Sequence, residues 1–267
     1  MSEGKYDSLI KKMTWSYSRI DCFNTCRYKW FLEYIDDPLR INSKPMFYSS
    51  YGSFIHKLLE RYYKGELPKG ALASEFLSKF SENVKGERPP GGIVDKYIRA
   101  GYEYLKSFEP FPYNVVDVEK KVRFEIAGHR FVGFIDYLGE KDGEYYIVDN
   151  KSRDLKPRSK RKKPTLKDKE LDEMLRQLYL YASAVREEYG KFPVMLCFNC
   201  FKSGVFIEEP FVMERYEEAI EWATHTIEKI QATNDFYPNI DYFFCRYLCD
   251  YSDECCFVDR KGNSDES

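Results

Sequence analysis

The chain lacks long apolar runs. Across its 267 residues, no stretch approaches the roughly 20 consecutive apolar residues that a bilayer-spanning helix needs. That excludes a membrane helix and leaves no membrane partner expected. The first residues, Met1-Ser2-Glu3-Gly4-Lys5, are polar and carry no signal-peptide core, so a cytoplasmic setting is expected. An excess of one charge is lacking too. Its 42 Lys and Arg stand against 44 Asp and Glu, a formal net charge of −2. No global field therefore marks the chain as a polyanion binder, and any such attraction has to be local. Internal repeats are absent, which argues against a solenoid or array. Histidine is scarce, with three residues, His56, His129 and His225.

What is abundant is aromatic. There are 23 Tyr and 20 Phe, and 43% of residues are hydrophobic, ample for a core, with exposed rings able to stack on bases. Eight cysteines in a reducing compartment argue against a disulfide framework and for metal ligation where they cluster. Helical spacing is expected over 18–34, with Ser18 as cap, and over 51–63, ended by Gly65 and Pro68. Two further helices are expected over 72–84 and 93–108, separated by Pro89-Pro90-Gly91-Gly92. Strand-like alternation follows over 115–126, 129–138 and 145–152, with turns at Ala127-Gly128 and across 141–143. A helix through Leu171, Leu175, Leu178, Ala182 and Val185, a hairpin over 194–201 and 204–211, and a helix from Tyr216 to Ile230 complete the pattern. Residues 259–267 carry no apolar side chain and are expected to be disordered.

Two carboxylates and a lysine break the apolar strand pattern. Asp136 ends the second strand, and Asp149 and Lys151 share one face of the third. Across the hairpin, Asp136 and Asp149 fall opposite or diagonal, within reach of one ion. Like charges so placed repel unless a cation lies between them, and oxygen ligands suit Mg²⁺ or Mn²⁺. The plainer alternative is a pair of strand-end acids facing water beside a surface lysine. Glu119, on the first strand, is read as a solvated residue, although within reach of the site. By its neighbours alone, His56 reads as a hydrogen-bonded core histidine.

Gly133-x-x-Asp136, Asp149-x-Lys151 and Gln177-x-x-x-Tyr181, taken in order, resemble the active-site motifs of the PD-(D/E)xK nuclease superfamily, in particular its RecB-like and Cas4-like exonuclease branch. Gly52-Ser53-Phe54-Ile55-His56 resembles that branch's upstream histidine helix, and the segment from Ser18 to Lys29 its N-terminal cysteine helix. The resemblance implies an α/β, restriction-endonuclease-like core: a mixed central β-sheet flanked by helices, a helical N-terminal part over the cleft, and chain termini stapled by an iron–sulfur cluster. It implies that His56, Asp136 and Asp149 bind Mg²⁺ or Mn²⁺, with the backbone carbonyl of Asn150 as a further ligand. Lys151 would position or activate water, Gln177 would orient Lys151 or the phosphate, and Tyr181 would support Gln177. Many members carry Glu where this chain has the shorter Asp149.

Cys245, Cys249 and Cys255, with Cys256 adjacent, form a dense group that needs a fourth thiolate to close a tetrahedral set. Cys26 is the best remote candidate. In the resembled branch, such cysteines hold a 4Fe–4S cluster, with Zn²⁺ as the alternative occupant; Cys22 for Cys26 and Cys256 for Cys255 stay open. Cys197 and Cys200, three apart on a strand, read as core residues. The loop after Lys151 carries Arg153, Lys156, Arg158, Lys160, Arg161, Lys162, Lys163 and Lys167, and is expected to contact DNA phosphates without reading sequence.

These readings predict a single nuclease domain over 1–258, with a helical part over about 14–110, a catalytic core over about 114–235 and a cysteine segment over 241–256. The expected activity is Mg²⁺- or Mn²⁺-dependent cleavage of DNA, as an exonuclease on ends or single strands in recombination, repair or phage-type DNA processing. A helicase, an integrase or a second copy are conceivable partners. The alternatives are a nuclease-fold protein that binds or assembles on DNA without cutting it, and a zinc-bound interaction protein.

Overall fold

Five strands form one sheet in chain order: β1 (Asn114–Ile126), β2 (His129–Lys141), β3 (Glu144–Lys151), β4 (Met195–Cys200) and β5 (Val205–Pro210). The computed structural model describes residues 5–36, 38–39 and 44–257; the tail over 259–267 lies outside them. β1, β2 and β3 form an antiparallel meander, β3 and β4 run parallel, and β5 returns antiparallel to β4. The two meander turns each have two residues at positive φ, Ala127 (48°) with Gly128 (79°) and Asp142 (55°) with Gly143 (78°). Such turns match the strand twist and fix the register. The parallel step needs a crossover, supplied by α7 (Leu166–Tyr189). This helix opens on a reciprocal Thr165–Asp168 capping box and ends on Gly190 at positive φ.

The α/β expectation holds, since helices cover both faces of the mixed sheet. Against one face, Ile135, Leu138, Ile147, Leu196 and Phe198 pack on Leu171, Leu175 and Leu178 of α7 and on Ala223 and Ile227 of α8 (Met213–Ala232). The same cluster takes in Ile20 and Phe23 of α2 (Tyr17–Thr25) and Trp30 of α3 (Arg27–Phe31). Over the other face lie α4 (Phe47–Tyr63), α5 (Leu72–Asn83) and α6 (Ile93–Lys106), joined through Tyr51, Phe54, Leu58, Phe76 and Leu105, with Phe201 from the end of β4. A short α1 (Asp7–Ile10) precedes these elements, and α9 (Tyr242–Tyr247) follows them. Among the described residues, no helix is long and apolar enough to cross a membrane.

Three local features depart from the sequence expectations. The helix expected over 18–34 is broken. Ser16, not Ser18, caps α2, accepting from Arg19 N at 3.1 Å. At Cys26 the backbone turns extended (φ −156°, ψ 109°), and its Sγ accepts from Lys29 N at 3.5 Å to start α3. A π-helical turn, Leu32–Asp36, follows. Asp136 lies inside β2, not at its end. The alternation of faces also slips there. Ile135 packs in the α7-side core, whereas Tyr137, two residues on, packs with Phe111 and Tyr113 on the opposite side. Across from this slip, Glu119 takes a positive φ of 51°.

β3 pairs with β2 only from Tyr137↔Val148 outwards to the turn, so the first half of β2 has a free edge on that side. Trp15 fills it. Its N–H donates to Arg130 O at 2.7 Å, and its carbonyl accepts from Val132 N at 2.8 Å.

Gly133, in that first half, faces α7. A Cβ there would stand 2.3 Å from Cε1 of Tyr181, which is only 6% exposed and has little room to retreat. Gly133→Ala is therefore expected to destabilise the protein by about 1–3 kcal/mol through overpacking. A fall in thermal midpoint of about 2–4 °C per kcal/mol would register it; an unchanged midpoint would refute this account of the glycine.

Candidate metal centre and active site

The turn registers bring three acids into one row. Val118↔Tyr137 and Lys120↔Ile135 bracket Glu119 against Asp136. One step past Tyr137↔Val148, the same register sets Asp136 against Asp149. Directly opposed residues of antiparallel strands are close neighbours, so each carboxylate feels the next. α4 brings His56 to this row. Its Nδ1 lies 3.5 Å from Asp136 Oδ2 and 3.6 Å from Glu119 Oε1, and its Nε2 donates to the carbonyl of Asn150 at 2.9 Å. Asp136 Oδ2 in turn accepts from Asn150 N at 2.7 Å. Ligand atoms of His56, Glu119 and Asp136 all lie within 4.8 Å of one another.

Glu119 is thus part of the site, a correction to its reading as a solvated strand residue. The signal was available, because counting back from the two-residue turn at Ala127-Gly128 pairs 119 with 136. Of the expected ligand set, His56, Asp136 and the Asn150 carbonyl converge. The Asp149 carboxylate is turned towards Lys151 instead, with Nζ 2.8 Å from Oδ2. This contact is an ion pair, and Asp149 Oδ2 is buried with no hydrogen-bond donor. Lys151 Nζ donates to Gln177 Oε1 at 2.8 Å, and Gln177 Nε2 to the Tyr181 hydroxyl at 3.1 Å. These two residues sit one helical turn apart on α7, which is why an x-x-x spacing aligns them.

The electrostatics are those of an acid cluster short of positive charge. Burial, then the neighbouring Asp149, push the Asp136 carboxyl up to about 7, against the opposing pull of His56 and the Asn150 N–H. Burial alone would lower the His56 value, but the carboxylates of Asp136, Glu119 and Asp149 outweigh it and push it up to about 9. A buried carboxylate oxygen whose close partner is the Lys151 ammonium, and an imidazole nitrogen 3.5 and 3.6 Å from two further acids, fit a hard divalent cation, which would help to balance the charge of the row. The other histidines stand apart. His129 lies edge-on to Trp15, and His225 is exposed near Glu228.

Several of the cysteines lie together. Cys26, Cys245, Cys249 and Cys255 line one cavity with Leu32, Phe244 and Tyr251. The two substitutes point elsewhere: Cys22 contacts Glu33 at 3.8 Å, and exposed Cys256 contacts the Tyr28 hydroxyl at 3.5 Å. Thiolates around one tetrahedral zinc stand about 3.8 Å apart, given a Zn–S bond near 2.3 Å. Among the described residues, no three of these sulfurs come within 4.8 Å of one another. Cys197 and Cys200 are buried in separate clusters, as expected of core residues.

In the loop after β3, Lys156, Lys160, Arg161, Lys162 and Lys163 are exposed. Arg153 pairs with Glu170. Arg158 does not stand free for phosphate as expected. It is held by Glu209 (2.8 Å) and Asp172 (2.7 Å), so it ties the loop to β5 and α7.

Residues 14–256 match the model of the PD-(D/E)XK nuclease superfamily, whose restriction-endonuclease-like fold the five-strand mixed sheet fits. Members of that superfamily use divalent metals, and the acid cluster offers a place for one. A search of curated proteins returns no match. Among solved structures, a "Putative exonuclease" from Eubacterium rectale is similar over 96% of this chain and 93% of its own, at 14% identity and a TM-score of 0.52. A second, the protein SSO0001, overlaps 95% of this chain and 97% of its own at 13% identity, with a TM-score of 0.31.

Crowded acids make a sign-definite prediction for the metal-free chain. Because the folded Asp136 carboxyl titrates near 7, above its ordinary value of 3.8, its contribution to stability is full below about pH 4 and is lost as pH rises towards 7. Asp136→Asn keeps an acceptor for Asn150 N and removes the charge. It is therefore expected to melt higher than the wild type, with the gap opening between about pH 4 and pH 7. Thermal scans in chelator across that window measure it, and a gap that closes with rising pH would contradict the assignment.

Proposed function

This chain belongs to the PD-(D/E)XK nuclease superfamily, and on that premise we propose that it is a Mg²⁺- or Mn²⁺-dependent deoxyribonuclease of the RecB-like and Cas4-like kind, acting exonucleolytically on ends or single strands. The observation that carries this reading is the carboxylate row with His56 at one end and the Lys151–Gln177–Tyr181 chain at the other. In that arrangement His56, Glu119, Asp136 and the Asn150 carbonyl would hold the cation, with Asp149 beside them. A cation bound there supplies Lewis acidity to the scissile phosphate and lowers the pKa of water.

The chain's own residues do the rest. Asp149 and Gln177 hold the Lys151 ammonium in place. Lys151 is positioned to offset the negative charge that grows on the phosphate as water adds to phosphorus and the P–O ester bond breaks. Gln177 is braced by Tyr181, so the ammonium needs little reorganisation as that charge develops. The exposed lysines at 156, 160, 162 and 163, with Arg161, supply sequence-independent attraction for a polyanion. The exonuclease description of the Eubacterium rectale structure supports the exonucleolytic reading. Recombination, repair or phage-type DNA processing are the settings that fit such an activity, alongside a helicase, an integrase or a second copy as partner.

We further propose that Cys26, Cys245, Cys249 and Cys255 hold a 4Fe–4S cluster with a structural role. Joining residue 26 to residue 255 closes nearly the whole chain as one loop, worth about 5 kcal/mol on the chain-entropy estimate for a covalent cross-link.

Two experiments test these readings. With end-labelled single- and double-stranded DNA, the wild type is expected to release nucleotides from an end only when Mg²⁺ or Mn²⁺ is present. Lys151→Ala is expected to lose about 10²–10³-fold in rate; a wild type inert with both metals would favour a DNA-binding or assembly role. For the cluster, protein purified without air is expected to be coloured and to contain iron. Cys26→Ser and Cys249→Ser should lose both and melt lower, while Cys22→Ser and Cys256→Ser keep them. Colourless protein carrying stoichiometric zinc would overturn the cluster.

A further inference from the structure

Behind the carboxylate row the side chains of Asn150, Asn199 and Tyr104 form a second polar line, and neither the motifs nor the proposed chemistry uses those side chains. Asn150 and Asn199 sit in direct register on the parallel strands β3 and β4, and they are 6% and 5% exposed. Strands at this place in a parallel pair ordinarily carry apolar side chains on both faces. Their same-face neighbours, Val148 and Cys197, are apolar, as expected. Two adjacent buried amides are a costly exception unless each is hydrogen-bonded. Here one amide group serves both. Asn199 Nδ2 donates to Asn150 Oδ1 at 2.7 Å and to the Tyr104 hydroxyl of α6 at 2.6 Å.

Asn150 is the residue whose backbone touches two of the metal-centre side chains. Its N–H donates to Asp136, and its carbonyl accepts from His56. Rotation of either peptide plane at Asn150 would lengthen one of these bonds and swing the carbonyl away from the centre. Its side chain, pinned by Asn199, opposes that rotation. The line Tyr104–Asn199–Asn150 thus links α6 to the carbonyl and N–H that orient His56 and Asp136.

We propose that Asn199, anchored by Tyr104, is a positioning residue for the metal centre: it holds the Asn150 backbone in the orientation that presents the carbonyl, His56 and Asp136 to a divalent cation. This rests on the metal-centre reading above. Residues that orient metal ligands from behind typically change affinity by about 10–100-fold when removed, and that is the effect expected here.

The test uses the full chain, in wild-type, Asn199→Leu and Tyr104→Phe forms. Mn²⁺ is titrated by calorimetry and by the electron paramagnetic resonance of the free and bound ion, with thermal unfolding recorded in chelator. Asn199→Leu is expected to bind Mn²⁺ about 10–100-fold more weakly, with an altered bound-ion spectrum. Tyr104→Phe keeps the Asn199–Asn150 bond, and is expected to show a smaller weakening of the same kind. A purely structural role would lower the unfolding midpoint and leave the Mn²⁺ affinity of the folded protein unchanged. A folded Asn199→Leu with wild-type affinity and spectrum overturns the inference. If that variant does not fold, Tyr104→Phe decides, and wild-type Mn²⁺ binding there overturns it. A wild type that binds no Mn²⁺ overturns the metal centre itself, and this inference with it.

Discussion

Repulsion among buried carboxylates is the constraint around which the rest of this molecule is arranged. Glu119, Asp136 and Asp149 stand in one row across three strands, and water is largely excluded from Asp136 and Asp149. Such a row persists in a folded protein only if cations face it and the backbone is held against relaxing. Lys151 faces it from β3 itself, and His56 faces it from α4, a separate layer. The helices over each face of the sheet can be understood from that need. One side supplies the imidazole, and the other supplies Gln177 and Tyr181 to fix the ammonium.

Strand geometry sets how closely the acids meet. The reversal of faces near Asp136, together with the positive φ of Glu119, lets neighbouring strands turn side chains of both layers towards one point. A regular sheet would send Glu119 and Asp136 to the face dictated by alternation and bury them against α7 or Tyr137. Backbone strain of this kind is concentrated where side chains must be aimed, and here it coincides with the two acids nearest His56.

Much of this was legible in the residues. Hydrophobic alternation and the two Gly-containing turns located the meander. The x-Lys and x-x-x-Tyr spacings put Lys151 beside Asp149 and Tyr181 beside Gln177, since strand and helix periods are rigid. Glu119 was equally accessible, because a two-residue turn fixes which residue opposes which, but one acid among many on a strand draws no notice until that register is counted. The break at Cys26 was not legible. Helical spacing runs through it, and only the sulfur's role in capping α3 and lining a cavity with Cys245 explains the extended backbone. Nor was the fate of Arg158, because its partners Asp172 and Glu209 lie 14 and 51 residues further along the chain.

The pairing of Trp15 with the first half of β2 has a consequence for how this sheet meets other chains. β3 leaves that stretch of β2 unpartnered, and a bare run of strand N–H and C=O groups is a template for another molecule's strand. Trp15 occupies it with two hydrogen bonds and a fully buried indole. The segment that leads into α2 therefore also covers this edge against strand-to-strand self-association. Proteolytic trimming through Trp15 would leave this scaffold with a sticky rim, and the first symptom would be aggregation.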